Sequence, residues 1–275
     1  MDKLPYLNLG CGATFHKDWT NIDFVSSGTG VIAHNLLVGI PFPDNSFEVI
    51  YHSHVLEHFP KAKAEDFIKE CYRVLNPGGM IRIAVPDLEA IALNYINYLN
   101  ESLAGTKGAA EKYDWTMLEL FDQVVRSGTG GEMIDYIKDT SKNNDAFLLE
   151  RNGYEVKRIM EIFRSAPQPP AATVSFSMSK KLKGLKNKVQ TKFISLVLGK
   201  DYAAYRTGKF RLEGEIHQWM YDRYSLKRLL ENSGFKNAEV KIGFESGIPE
   251  WKKYNLDGKD NVLRKPDSLF MEATK

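Results

Sequence analysis

The chain has 275 residues, of which 43% are hydrophobic and 12% aromatic. That is ample material for a core, and it excludes a disordered or collagen-like chain. Two cysteines cannot build a disulfide scaffold and point to a reducing compartment, and a formal charge of +2 is too small to mark a nucleic-acid binder. No apolar run reaches the roughly 18 residues of a membrane span. The N-terminus, MDKLPYLNLGCGATF, lacks a basic region ahead of a long apolar stretch, so no secretory signal and a cytoplasmic setting are expected.

In chain order, Tyr6 to Leu9 reads as a short apolar strand running into Gly10-Cys11-Gly12. Thr20 to Asp23 is a second strand that ends on an acid, and Ser46 to Tyr51 a third, entered through the turn-rich Pro41-Phe42-Pro43-Asp44-Asn45. Lys61 to Leu75 is a helix. Pro60 suits its start, and Asn76-Pro77-Gly78-Gly79 is expected to end it. Met80 to Val85 is a strand closed by Pro86. This alternation is that of a parallel α/β sheet. Helical patterns then dominate from Leu88 to about Phe163, interrupted by Ser127-Gly128-Thr129-Gly130-Gly131. Ser225 to Asn232 is a further helix, and Ala238 to Ile242 and Ser268 to Ala273 are the last two strands. The expected organisation is 1–87 as a cofactor-binding half, 88–213 as a mostly helical insertion or lid, and 214–275 as the completion of the sheet.

Charge is unevenly spread. Between Phe176 and Arg211 there are eight Lys, two Arg and one Asp, a net +9 that leaves −7 for the remainder. Leu182, Leu185, Val189, Phe193 and Leu196 recur there at helical spacing. The segment reads as a helix packed on the main domain with a solvated basic face; the alternative is a surface helix that meets an anionic membrane surface, through 176–200, or an acidic substrate.

Two glycines after a first strand let the backbone turn sharply and approach a ligand, and Asp23 at the end of the second strand can accept from two ribose hydroxyls. The dinucleotide fingerprint is incomplete. Ala13-Thr14-Phe15 stands where a third glycine would be, and Asp23 follows Gly12 by eleven residues. The stretches LNLGCG (7–12), NID (21–23), IPFPDNSF (40–47), HSHVLEH (52–58) and RVLNPGG (73–79) resemble class I S-adenosylmethionine-dependent methyltransferases, specifically the type 11 group. The later stretches VRSGTGGEM (125–133), GEIHQWMYDRYSL (214–226) and RKPDSLFMEATK (264–275) look like a subgroup associated with glycan and surface-polysaccharide genes.

The resemblance implies a Rossmann-like methyltransferase fold, with a mostly parallel sheet, one reversed strand and a helical insertion. It implies S-adenosyl-L-methionine as cofactor, with Gly10, Cys11 and Gly12 at its methionyl part, Asp23 on the ribose, Asn35 and Leu36 beside the adenine, and Ser53 near the sulfonium. Asn8 stands where an acid often ends the first strand.

Three of six histidines fall between His52 and His58. His54 to His58 also spells H-x-x-E-H, an inverted zinc-peptidase signature. That reading needs a long helix around the motif and a third ligand; Pro60 cuts the helical frame and a strand ends just before His52, so no metal is expected. A neutral imidazole suits removal of a proton from an attacking hydroxyl. His58, His217 and His54 are the candidate bases, in that order, each also readable as a structural histidine. Arg126, beside the glycine-rich bend, suits a phosphate or carboxylate on an acceptor, or a salt bridge with Asp122. Gln123 and Tyr221 complete the candidate acceptor contacts. Cys71, in line with Ile68 and Leu75, reads as core.

The function expected is methyl transfer to a hydroxyl of a sugar, glycan precursor or other small polar molecule. The alternatives are a small amine, phosphate or lipid-linked acceptor, and a non-catalytic cofactor-binding partner protein. No nucleic acid is expected as partner, and the oligomeric state stays open.

Overall fold

A computed structural model describes residues 5–26, 30–164 and 191–275. Six leading elements build the sheet and its first covering helix: β1 (Tyr6–Leu9), β2 (Thr20–Asp23), β3 (Val31–Ala33), β4 (Phe47–Ser53), α1 (Lys61–Val74) and β5 (Leu75–Pro86). Then follow α2 (Leu88–Leu103), α3 (Ala109–Val125), α4 (Gly131–Lys138), α5 (Asp145–Arg164), a helix α6 described over 191–198, and α7 (Tyr202–Leu212). The chain returns through α8 (Arg223–Asn232), β6 (Lys236–Lys241), a two-strand ribbon of β7 (Gly258–Lys259) and β8 (Val262–Leu263), and β9 (Ser268–Thr274).

The sheet order is β3-β2-β1-β4-β5-β9-β6. The first five strands pair in parallel, and β9 runs antiparallel to both β5 and β6. That is a Rossmann-like sheet with one reversed strand, as expected. Every residue of β1 is buried, which explains why it reads as a continuous apolar run rather than an alternating one.

One sheet face is covered by α1 and α8. Phe67, Ile68, Cys71 and Val74 from α1 meet Leu226 and Leu230 from α8 over Leu7, Leu9, Ile50, Ile81 and Ile83. Removing a ring such as Phe67, 2% exposed, costs about 3–5 kcal/mol. The other face is closed by aromatic rings: Trp19, Tyr51, Trp251 and Tyr254 pack with Tyr6 and Ile248. Arg82 is buried in that layer, 2.7 Å from both Asp257 and Glu272. Its remaining donors reach the carbonyls of Gly243 and Glu245, so a fully desolvated cation is fully paired. A third cluster, Trp115, Tyr136, Ile137, Leu148 and Val156, lies within α3, α4 and α5.

Several elements differ from the sequence reading. β5 begins at Leu75, so Asn76-Pro77-Gly78-Gly79 lies inside a strand and not in a helix-ending turn. β3 is additional; with three residues, only Val31 of them buried, it has too little pattern to be read. α8 begins two residues earlier than expected because Asp222 caps it, accepting from the amides of Tyr224 and Ser225. Of the apolar stripe expected to pack on the main domain, Leu182, Leu185 and Val189 lie outside the described residues. Phe193 and Leu196 are exposed, 66% and 82%, which corrects the packing expectation for them.

Candidate active site

The carboxyl ends of β1, β2 and β4 lie side by side, which is where ligands sit in open α/β sheets. Gly10 turns the chain after β1 with φ +61°, and an added Cβ there would lie 2.3 Å from Val55 Cγ2. No other residue fits so near the segment after β4. Gly12 also has positive φ, +54°, but a Cβ there meets nothing within 4 Å, so the outer side of the loop is open. Asn8 holds the loop from beneath: its amide donates to the Thr14 carbonyl at 3.1 Å and to Asn21 Oδ1 at 3.2 Å. Asp23 Oδ2 accepts from the Gly12 amide at 2.7 Å, which ties the acid of β2 to the glycine loop. Burial pushes the Cys11 thiol up to about 12, so it is no nucleophile.

Asn35 Oδ1 accepts from the Leu37 amide at 3.0 Å and caps the 3₁₀ turn Leu36–Val38. Leu36 packs, half-buried, against the main core. Ser53 ends β4 and accepts from Arg264 Nη2 at 3.4 Å, while Arg264 Nη1 donates to Thr14 Oγ1. One guanidinium therefore spans from the glycine loop to the end of β4, and its buried Nε has no hydrogen-bond partner among the described residues. Arg264 stood at the head of the RKPDSLFMEATK stretch, but nothing in its spacing assigned it to this cleft, because 211 residues separate it from Ser53.

Immediately after Ser53, His54 has left-handed backbone, φ +55°, a sparsely populated state for this residue type that is often found at functional sites. His54 Nε2 makes a 2.8 Å hydrogen bond with Ser268 Oγ. Its Nδ1 lies 3.1 Å from Glu57 Oε1, without the alignment of a hydrogen bond, since both Glu57 oxygens lack a hydrogen-bond partner. Glu57 is fully buried, and burial raises its carboxyl to about 8. On its other side His217 Nε2 is 3.9 Å from the same oxygen. His58 stacks edge-on against His217 with ring centroids 4.9 Å apart, and its Nδ1 donates to the Ile216 carbonyl at 3.0 Å. Burial holds His54 and His217 well below the ordinary imidazole value and His58 below it, so all three are neutral near pH 7.

The chain segments carrying these groups are clamped together. The Gln218 and Trp219 amides donate to the Glu57 carbonyl, and the His217 amide to that of Gln123. The structure thus brings together His54, His58 and His217, residues up to 163 positions apart in the sequence. Glu57, His58 and His217 each offer a ligand atom, all within 4.8 Å of one another. This trio could share a divalent cation, but it leaves out His54, one of the two histidine ligands of the H-x-x-E-H motif, so it is not the site that the motif describes.

A cavity of about 230 Å³ opens between the strand ends and the helices α3, α4 and α5. His54 lines it, and so do Gln123, Arg126, Glu119, Lys265 and Asp267; His58 and His217 do not. Arg126 is held by Asp122 at 2.6 Å and Glu215 at 3.4 Å. Asp122 also accepts from the Glu132 amide at the start of α4, so its carboxylate secures helices and is not among the cavity's walls. Tyr221 is 3% exposed and bridges to Asp87 at the end of β5. A larger depression of about 530 Å³ lies between Ser127–Thr129 and α7, and contains neither the glycine loop nor a histidine.

Residues 16–83 match the family model described as a methyltransferase domain. Over 56 residues the chain is 38% identical to a Mycolicibacterium smegmatis protein named "Probable S-adenosylmethionine-dependent methyltransferase/", covering 20% of this chain and 21% of that relative's length. Among solved structures, a SAM-dependent methyltransferase from Archaeoglobus fulgidus aligns over 100% of this chain and 86% of its own, at 11% identity and TM-score 0.41. An S-adenosylmethionine-dependent methyltransferase from Mesorhizobium loti aligns over 100% and 92%, at 12% identity and TM-score 0.40. The family match starts after Gly10-Cys11-Gly12 and ends at Ile83 within β5, and so takes in Asp23, Ser53 and the His54–His58 run.

Proposed function

We propose that the protein is an S-adenosylmethionine-dependent methyltransferase that methylates a hydroxyl of a sugar, glycan precursor or other small polar acceptor. The observation that carries this reading is the meeting of three features at one edge of the sheet. They are a glycine turn open on its outer side, an acid tied to that turn, and a histidine with left-handed backbone that lines a cavity.

The residues present fit the cofactor. Asp23 would offer its carboxylate to a ribose diol; Oδ2 accepts from the Gly12 amide and Oδ1 from the Val25 amide at 3.3 Å, and each oxygen has a second lone pair for the diol. Gly10, Cys11 and Gly12 leave room for the methionyl part, and Asn35 and Leu36 flank the adenine. The Arg264 guanidinium, stretched between Thr14 and Ser53, is placed to meet the methionyl carboxylate. When bound, the cofactor supplies an electrophilic methyl group on sulfur.

The chain's own residues align the acceptor and take its proton. A base must first be within reach of the substrate, and cavity contact therefore puts His54 ahead of His58 and His217. Neutral His54 accepts the hydroxyl proton at Nε2 as the oxygen attacks, the acceptor hydroxyl taking the place of Ser268 Oγ, which holds that nitrogen at 2.8 Å. Glu57, 3.1 Å from the ring's Nδ1, has its carboxyl raised to about 8 and is largely protonated near pH 7, so it offsets the charge that the ring gains only by giving up its own proton. Gln123 and Arg126 at the cavity wall orient the acceptor. No metal takes part in this scheme.

A small amine is the second reading, favoured by the carboxyl groups of Glu119, Glu155 and Asp267 around the cavity. The test is transfer of labelled methyl from S-adenosylmethionine to a panel of sugars, sugar nucleotides, amines, phosphates and lipid-linked molecules. Labelled sugar or sugar nucleotide supports the reading, and label confined to amines replaces it with the second. Cofactor binding with no transfer to any class would favour a non-catalytic cofactor-binding partner protein.

A further inference from the structure

Helices α6 and α7 bury almost nothing. α7 has no buried residue. On α6, Phe193, Leu196 and Val197 are 66%, 82% and 66% exposed. Their spacing of i, i+3 and i+4 makes one continuous stripe. Ile194 and Leu198 are the half-buried side of the helix, so the stripe faces away from the protein. Leu212, at the end of α7, is 88% exposed. Single exposed apolar residues are ordinary, but a contiguous stripe on one helix calls for something to cover it.

The charge around the stripe indicates what covers it. Lys192 and Lys200 flank it, and Arg206, Lys209 and Arg211 follow on α7, against Asp201 and Glu213. The surrounding sequence, 176–211, carries +9 while the rest of the chain carries −7. No described helix is long and apolar enough to cross a membrane. A short apolar stripe flanked by lysine and arginine is the pattern of a helix lying in the headgroup region of a bilayer. A second copy of the chain is the poorer occupant, because a two-fold contact would set the same cations against themselves.

We propose that α6 docks on an anionic lipid surface, with Phe193, Leu196 and Val197 entering the boundary between headgroups and acyl chains and with Lys192 and Lys200 meeting lipid phosphates. The proposal stands apart from methyl transfer and needs only the described face of α6.

The test is co-sedimentation of the full chain with phosphatidylcholine vesicles, with and without about 30% phosphatidylglycerol. The parent binds the anionic vesicles, and binding falls about tenfold or more on neutral vesicles or at about 0.5 M salt. The triple change Phe193→Gln, Leu196→Gln and Val197→Gln, all at exposed positions, lowers anionic binding by a similar factor. Cofactor binding and turnover on a soluble acceptor stay at the parent's level, which keeps failure here separate from failure of the proposed reaction. Three results would overturn the proposal. One is a parent left in the supernatant with anionic vesicles. Another is a triple variant that sediments as the parent does, which assigns the contact to charge alone. The third is a parent dimer in sedimentation velocity that the triple variant loses, with no vesicle binding by either.

Discussion

β1 is buried at every position and α7 at none. The sheet fixes backbone: its strand ends hold the glycine turn, Asp23 and His54 in place through buried neighbours on both faces. The helices between residues 88 and 213 instead supply side chains. α3 to α5 wall a cavity with polar groups, and α6 and α7 present a surface. A change at a strand end should therefore alter chemistry or cofactor affinity, whereas one on the outer helices should leave both alone.

The largest effect is expected where the two regions meet. His54→Ala should lower turnover by roughly 10²–10⁴ while cofactor affinity stays within a few-fold. His58→Ala and His217→Ala, outside the cavity, should lose less. Because burial keeps the His54 imidazole neutral well below 6.5, the parent's rate should hold at pH values where an ordinary histidine is already protonated. A rate that falls with an apparent pKa at the ordinary imidazole value would remove His54 from the role.

Arg264→Leu comes next. Losing a charged hydrogen bond to a carboxylate should weaken cofactor binding by about 1.5–3 kcal/mol, measurable by calorimetry. Equal affinity in a folded variant would leave Arg264 as a tie between Thr14 and Ser53 only.

Most of the sheet was legible because apolar residues dominate β1, β4, the second half of β5 and β9, and turn residues such as glycine, proline or asparagine mark many of the boundaries. β1 and β2 match the reading to the residue, and the reversed strand followed from the resemblance. The cluster around Glu57 was only half legible. His54, Glu57 and His58 lie together in sequence, but their contact with His217 depends on a chain return that carries no local signal. Periodicity could locate an apolar stripe at Phe193 and Leu196, yet it cannot say which way a stripe faces, so their exposure was missed. Arg264 was missed for the same reason that the contacts of His217 were: its partners are remote in sequence.

Smaller effects concern stability. His52 is fully buried, and burial pushes its pKa from 6.5 down to about 3. An unfolded chain takes up this proton as pH falls through 6.5, while the folded chain refuses it until about 3, so stability is lost across that window. His52→Leu should recover about 2 kcal/mol of that loss near pH 5 relative to neutral pH, as read from denaturant midpoints. Glu57 has the opposite sign: with its pKa raised from 4.5 to about 8, its contribution is full below 4.5 and lost as pH rises through 8. Glu57→Gln should accordingly help more at the alkaline end.

The smallest effect is expected from a chelator, which should leave turnover unchanged. Activity lost on chelation and restored by magnesium or zinc would turn Glu57, His58 and His217 into ligands and shift the chemistry from an imidazole base to a metal ion.

The central claim is that the strand ends form an S-adenosylmethionine site, and calorimetric titration of the purified chain with that cofactor tests it most directly. One saturable site per chain is predicted, weakened by about 1.5–3 kcal/mol in Asp23→Ala. A folded parent that takes up no cofactor, or an Asp23→Ala variant with the parent's affinity, would contradict it.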